Sequence, residues 1–546
     1  MTNLCKRAAA ICIATGLGSR AVAVDIQPKM GDPLAGLSAA QLARFNAGKI
    51  AFQRLFTAAE GLGPVMNQQS CASCHNTPVG GSGAISVTRF GFFDEKGGGF
   101  DPLASLGGSL LQSQSISTEC AETVPPEANV TTQRITTSTL GLGLIEAIPD
   151  AAILSHESPG PGISGHANMV SAFEDPPNSP LRAGRFGWKA QVATVLTFSA
   201  DASLNEMGIT NRFLQTENDP NGVNPPSLAA CDMVPDPEDG PDAEGFHFID
   251  RVTDFQRFLA NPPQTPRSGM TGVTIFNSVG CAACHVPTYT TSNNVALEDA
   301  IRNKTIRPYS DFLVHDMGLL GDGISQAQAD VREIRTPALW GVRLRDPLLH
   351  DGRVAGGSFA GRMNEAISAH GALGSEAAPS ASSYAGLTQT QRDQLIAFLN
   401  SLGRAEFDAD GDGDVDASDL ASFAACYDGG SYSPDDPCAV HDIDQDGDVD
   451  DDDFVLFLIA YSGSQADCNA NSVNDARDIL LGTSTDCNLN SMPDECDPES
   501  SDVPLFVSVL LGQNTDPVVR CMLDKNRDST VDGRDISPYV HALVGP

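Results

Sequence analysis

Two stretches of this chain set thiols and an imidazole at one fixed spacing. Ser70–Gly83 reads SCASCHNTPVGGSG, and Gly280–Tyr289 reads GCAACHVPTY. Each contains Cys-x-x-Cys-His. Two thiols about one helical turn apart can add to the two vinyl groups of one porphyrin, and the next histidine then lies beneath the ring as an iron ligand. On this reading Cys71, Cys74 and His75 hold one haem, and Cys281, Cys284 and His285 hold another. Zinc and a thioredoxin-like redox pair also use Cys-x-x-Cys. Both fit less well, because each pair here has its own adjacent histidine and neither follows a βαβ pattern.

The sixth iron position separates an electron carrier from a catalyst. After His75 the next histidine is His156. Asn76 to Phe100 is Gly-rich and reads as a loop that leaves the first iron open. Downstream of His285 the candidate ligands are His315, Met317, His350, Met363 and His370.

A second pattern lies in the acidic C-terminal part. The net charge is −37, and residues 405–546 carry −27 of it. Asp408, Asp410, Asp412, Asp414 and Asp419 have the spacing of an EF-hand loop, with Gly413 at the turn. Asp442, Asp444, Asp446, Asp448 and Asp453 repeat it around Gly447. Oxygens at loop positions 1, 3 and 5, Gly at 6, an apolar residue at 8 and an acid at 12 wrap one calcium ion. Asp524, Asn526, Asp528 and Asp535 form a weaker third copy, with Ser529 at the turn. Residues 467–478 and 486–497 are a different repeat built on Asp-Cys-Asn.

These sites need positioning elements. Lys6, Arg7, the apolar run 8–18 and Ala21-Val22-Ala23 read as an export signal over 1–23. Two largely helical haem domains are expected over 24–262 and 263–404, split at the Pro-rich ANPPQTPRSG. LTQTQRDQLIAFLNSL reads as the closing helix. The tail divides into 405–463, 464–499 and 500–546. The fold class is mainly α, two cytochrome c-like domains followed by small calcium-loop modules. No later stretch approaches the ~20 apolar residues of a membrane span. Nothing is basic enough for nucleic acid. Of the fourteen cysteines, eight lie outside the signal and the pentapeptides, an even number that favours disulfides. Cys120 with Cys231 and Cys426 with Cys438 are the expected pairs, although sequence leaves the connectivity open.

GLGPVMNQQSCASCHNTPVGGSG, GLGLIEAIPDAAI, RFGWKAQ, LNEMGIT, GCAACHVPT, PYSDFLVHDMG and RTPALWGV with HDGR occur in that order. With these motifs, residues 40–404 resemble the di-haem oxidoreductase family, also labelled thiol oxidoreductases. That family is similar to the bacterial di-haem cytochrome c peroxidases and the methylamine-utilisation di-haem enzyme. The resemblance implies a peroxidase-like reaction on a small oxidant such as peroxide, fed by a redox partner protein or small donor. It places Trp188 between the haems and Glu206 over the open face of the first, as an acid–base group. His370 stands where the peroxidases carry a methionine ligand to the second iron. The tail resembles dockerin-like modules and thrombospondin type 3 repeats, which implies a cell-surface or scaffold partner. The expected location is periplasmic, secreted or cell-surface. Blander readings stay open: Glu206 as a surface carboxylate, Trp188 as core packing, His370 as solvated. Glu146 reads as a second acid–base group or a buried structural carboxylate. His315 and His350 read as structural, and Asp351 and Arg353 as loop braces. A non-catalytic di-haem electron carrier with an attachment tail is the alternative function.

Overall fold

The computed structural model describes residues 26–544 apart from 98, 159, 161, 223–230, 233, 428–429, 462–483, 486, 488–492, 497–501 and 527. The expected export signal and the repeat at 467–478 lie outside the described residues, as does most of the repeat at 486–497. Gln27–Gly413 with Ser433–Pro437 form one compact unit; Asp414–Tyr432 and Cys438–Pro546 belong to another.

In the larger unit, helices form the backing for both pentapeptides. Ser38 opens the helix Ala39–Gln53 with a capping box to Gln41. This satisfies two of the N–H groups that a helix start leaves unpaired. Its buried Phe45 and Phe52 pack on Phe255 of the helix Phe248–Phe258, at ring distances of 5.2 and 4.8 Å. Gly48 permits that approach, since a Cβ there would lie 2.3 Å from the Arg251 carbonyl. Helix Val195–Met207 starts on Thr194, whose side chain accepts from the Thr197 N–H, and stops at Gly208 with φ +65°. A left-handed C-terminal glycine is a common helix terminator.

Helices Thr271–Ser278, Phe359–Ala369 and Gln389–Ser401 surround the second pentapeptide. The last is the expected closing helix; it buries Leu395, Ile396, Phe398 and Leu399. Gly272 lets it come close, because a Cβ there would lie 2.2 Å from the Gln394 carbonyl. The segment around the Pro-rich break pairs with the end of this helix, as Thr265 N–H donates to Ser401 O and Gly403 N–H to Pro263 O. One core cluster joins Leu142, Ile148, Phe186 and Val195 to Tyr289, Ile301, Phe312 and Trp340.

The described structure is about 33% helical and 12% strand, so helix leads but the strands are more than trimming. The strand content corrects the reading of Asn76–Phe100 as a Gly-rich loop. Ser86–Asp94 is a nine-residue strand. It pairs antiparallel with Gly99–Asp101, Leu110–Leu111 and Val130–Ile135. Its SVTRFGFF core has the β-branched and aromatic content that suits a pleated ladder, and VTTQRI supplies a matching partner. The glycines lie on both sides of Ser86, at 80, 81 and 83 and again at 91 and 97–99, and their number masked the strand among them.

In the other unit, the loop at Asp442–Asp453 leads directly into the helix Asp451–Ala460. Val449 at loop position 8 is fully buried. The helices Ala417–Cys426 and Ile536–Val544 likewise follow acidic segments. Phe423 packs on Phe457 with ring centroids 5.0 Å apart. Cys120–Cys231 and Cys426–Cys438 are disulfides, as expected, and Cys487–Cys521 is a third.

Candidate functional site

The first pentapeptide forms a short helix, Cys71–Cys74, begun by Ser70, whose hydroxyl accepts from the Ser73 N–H at 3.1 Å. His75 closes the turn, its N–H donating to Cys71 O at 3.0 Å. Its Nδ1 lies 3.2 Å from Gly81 O and its ring 5.9 Å from Phe52. Burial pushes its pKa down to about 4, so the ring is neutral. An Nδ1–H donated to a carbonyl leaves the Nε2 lone pair for a metal. Both cysteines are free thiols.

Glu206 stands beside this motif. It lies at the end of Val195–Met207, and its backbone carbonyl accepts from Asn67 N–H at 2.8 Å and Gln68 N–H at 3.1 Å. Asn67 Nδ2 also donates to the Glu206 carboxylate at 2.8 Å. One residue just ahead of the pentapeptide thus fixes Glu206 at two points, through its backbone N–H and its side-chain amide. Burial raises the Glu206 pKa, with Arg89 and Asn67 opposing. Its charge in turn helps to raise that of Cys74, after burial itself.

The second pentapeptide follows Thr271–Ser278, and His285 N–H donates to Cys281 O at 2.9 Å. His285 Nδ1 lies 2.9 Å from Tyr309 O, and burial pushes its pKa to about 4. His370 caps Phe359–Ala369, its Nδ1 2.8 Å from Ala366 O. Both imidazoles therefore commit Nδ1 to a backbone carbonyl and leave Nε2 free. Both line one mainly apolar cavity together with free Cys281 and Cys284. Two free thiols, two neutral imidazoles and apolar walls fit a porphyrin. A tetrahedral zinc site would want all four donors converging on one point.

Trp188 lies in the wall of the same cavity. Its Nε1–H donates to Ile135 O at 2.9 Å, and its ring meets His350 edge-on at 6.2 Å. His350 is 3% exposed, and its Nε2 has no hydrogen-bond partner. His315 bonds Asp311 at 2.8 Å and Glu376 at 3.0 Å. Burial opposes its charge, but Asp311 and Cys284 outweigh that and raise its pKa to about 11. Asp351 and Arg353 pair with each other at 2.6 Å.

Glu146 is an ion-pair residue. Its carboxylate accepts from Arg257 Nε at 2.7 Å, Arg257 Nη2 at 3.0 Å and Val195 N–H at 2.8 Å. Three of its roughly four acceptor sites are in use, and Arg257 and the Val195 N–H outweigh burial to hold its pKa below the ordinary value, which suits a structural ion pair.

Among the loop acids, Asp453 takes Ile443 N–H at 2.6 Å and Asp450 N–H at 3.2 Å. Asp446 and Asp448 N–H groups donate to Asp444 and Asp446 carboxylates, both at 3.2 Å. One oxygen each of Asp442 and Asp448 is buried without a partner. In the third copy Asp535 takes Asn526 N–H at 3.0 Å, and Arg534 occupies Asp528 at 2.9 Å. Ser529 adopts φ +69° at the turn. In the first copy Gly413 has φ +101°, and Asp419 takes Asp416 N–H at 2.9 Å. Gly411 N–H donates to Asp408 at 2.6 Å and Asp412 N–H to Asp410 at 3.3 Å. Asp414, Asp416 and Asp419 bring ligand atoms within 4.8 Å of one another.

Sequence reasoning missed Asn67, Arg335 and Arg345. The first sits in the quoted motif just ahead of Cys71, but nothing in the sequence there names Glu206 as its partner. The two arginines sat inside quoted or neighbouring motifs, and only the fold shows what they lack.

Residues 113–402 match the family described as "Di-haem oxidoreductase, putative peroxidase". This chain belongs to that di-haem oxidoreductase family. It is an oxidoreductase, and the family's chemistry uses haem. The matched residues hold Trp188, Glu206, His370 and the second pentapeptide; the first lies ahead of them. Among solved structures the chain is similar to a MauG-like protein associated with microbial copper homeostasis. That similarity is 15% identical, covers 71% of this chain and 95% of the other, and has a TM-score of 0.31. No curated protein matches. Among the described residues no helix is long and apolar enough to cross a membrane.

Proposed function

We propose that this di-haem oxidoreductase acts as an exported, peroxidase-like enzyme with two unequal haems. Cys71 and Cys74 would attach the first, with His75 Nε2 as its protein ligand. Cys281 and Cys284 would attach the second between His285 and His370. Bound haem supplies one-electron redox chemistry and, at an open position, a place for a small oxidant.

The protein's own part is proton handling and insulation. Glu206, held by Asn67, would take a proton from one oxygen of a peroxide and return it to the departing oxygen. Its raised pKa brings it closer to the operating range of such a group. Trp188, buried in the wall of the second cavity, would lie on the route by which electrons reach the first site from a redox partner. The observation that carries this reading is the asymmetry of the two motifs. A second imidazole, His370, shares a cavity with His285, whereas the ionisable partner beside Cys74 is a carboxylate.

The two haem-bearing regions, 24–262 and 263–404, would each be cytochrome c-like. The acidic region from 405 would be a calcium-folded, dockerin-like module that locates the enzyme at a surface or scaffold in the periplasm or outside the cell. The buried, unpartnered oxygens of Asp442 and Asp448 support calcium there, since such oxygens are normally satisfied.

Mass measurement of the denatured mature protein tests the reading. Two added haem masses are expected, with Cys74→Ala weakening one attachment. A mass without haem, from a host competent in haem attachment, would end it.

A further inference from the structure

Two guanidinium groups in the second cavity have no anion. Arg335 and Arg345 both line the cavity that contains Cys281, Cys284, His285 and His370. Arg335 donates from Nε to Gly187 O at 2.6 Å and from Nη1 to Thr336 O at 3.0 Å. Arg345 donates from Nη2 to Trp340 O at 3.0 Å. These are carbonyl contacts; neither group forms an ion pair among the described residues, and for Arg345 burial is the sole influence on its pKa. Burial lowers both values to about 10, so both remain cations at neutral pH.

The cavity lining offers no free anion to pair with them; Asp311 favours the Arg335 charge without bonding it, and is itself bonded to His315. Its lining carboxylate, Glu376, is already held by His315 and Ser164. A third lining guanidinium, Arg185, has Asp150 as its partner. Buried charges are normally paired, because removing an ion from water without compensation is costly. Arg is also the side chain best matched to carboxylates, through two parallel N–H donors. The cavity is therefore short of two negative charges, and a porphyrin brings two propionates.

We propose that Arg335 and Arg345 clamp the two propionates of the haem attached at Cys281 and Cys284, and so hold its reduction potential level across neutral pH. This rests on the second pentapeptide being a haem site. A propionate facing Arg stays ionised well below the ordinary carboxylate range. Its charge is then constant and compensated while the iron changes oxidation state. Without the cation, the bare propionate stabilises ferric iron and titrates in the weakly acidic range.

The test is spectropotentiometry of the full-length holoprotein from pH about 5 to about 8, a range above the ordinary carboxylate pKa. It follows the low-spin haem in wild type, Arg335→Gln, Arg345→Gln and Arg345→Lys, each first weighed for haem. The wild-type potential should be nearly constant over this range. Each Gln variant should keep both haem masses, show a lower midpoint, and show a midpoint that falls further as pH rises. Arg345→Lys should recover most of the wild-type profile, which a purely packing role for the side chain would not predict. Two haem masses with Gln variants indistinguishable from wild type overturn the clamp alone. A wild-type midpoint that slopes through weakly acidic pH also overturns it, and this result needs no variant to fold. A wild-type mass with no haem at Cys281 and Cys284 overturns the underlying haem assignment together with the clamp.

Discussion

Replacing Glu146 by Gln separates structural from catalytic carboxylates in this fold. Glu146 is 8% exposed and holds Arg257 through two N–H donors at 2.7 and 3.0 Å. Gln keeps the size and can still accept from the Val195 N–H, but it leaves the partly buried Arg257 guanidinium with only the longer-range charges of Glu174 and Asp254. Breaking a buried pair by removing one partner typically costs 3–5 kcal/mol; the retained acceptor argues for the lower end, about 3 kcal/mol. The pair also carries a pH signature. Arg257 and the Val195 N–H outweigh burial and hold the Glu146 pKa below its ordinary value. A depressed folded-state pKa gives stability that is complete above the unfolded value, about 4.3, and is lost as pH falls through the folded one. Urea unfolding followed by far-ultraviolet circular dichroism should show a lower midpoint for Glu146→Gln at pH 7 with unchanged slope. The gap to wild type should narrow as pH falls below about 4. Haem content and peroxide turnover of the folded protein should be unchanged. A stability loss under about 1 kcal/mol, or a turnover loss without a stability loss, would refute the ion-pair assignment.

Glu206→Gln should do the opposite: peroxide turnover falls by about 10²- to 10⁴-fold, with both haem spectra and the urea midpoint near wild type. Unchanged turnover would remove Glu206 from the chemistry. Asn67→Ala should lower turnover less than Glu206→Gln and move its pH–rate profile to higher pH, because the Asn67 hydrogen bond otherwise lowers the Glu206 pKa; an unaltered pH–rate profile would refute that role. Chelating calcium should speed limited proteolysis after about residue 405, since a cation that binds only the folded loops stabilises them by mass action. Proteolysis insensitive to chelation would argue against the loops as calcium sites.

The parts of this fold legible in sequence are those whose chemistry is local. Cys-x-x-Cys-His fits in one helical turn, and the pairing of Asp453 with the Ile443 and Asp450 N–H groups belongs to a single loop. The closing helix was legible from the apolar positions Leu387 and Leu395 to Leu399; the capping box of Thr388 and Gln391 is seen in the fold. The partners of these groups were not legible. Asn67 meets Glu206 across 139 residues, and Glu146 meets Arg257 across 111. The strand Ser86–Asp94 was hidden because its longest ladder partner, Val130–Ile135, lies beyond any local window, and its near partner Gly99–Asp101 is only three residues long. Arg335 and Arg345 carry no sequence signal of being unpaired; that property exists only once the carboxylates around them have been assigned elsewhere.

The central claim is that the two haems are unequal, and the electron paramagnetic resonance spectrum of the ferric holoprotein tests it most directly. The account predicts one high-spin and one low-spin signal at neutral pH, with His370→Ala perturbing the low-spin signal alone. Two low-spin haems that resist added ligands would contradict it and leave a di-haem electron carrier.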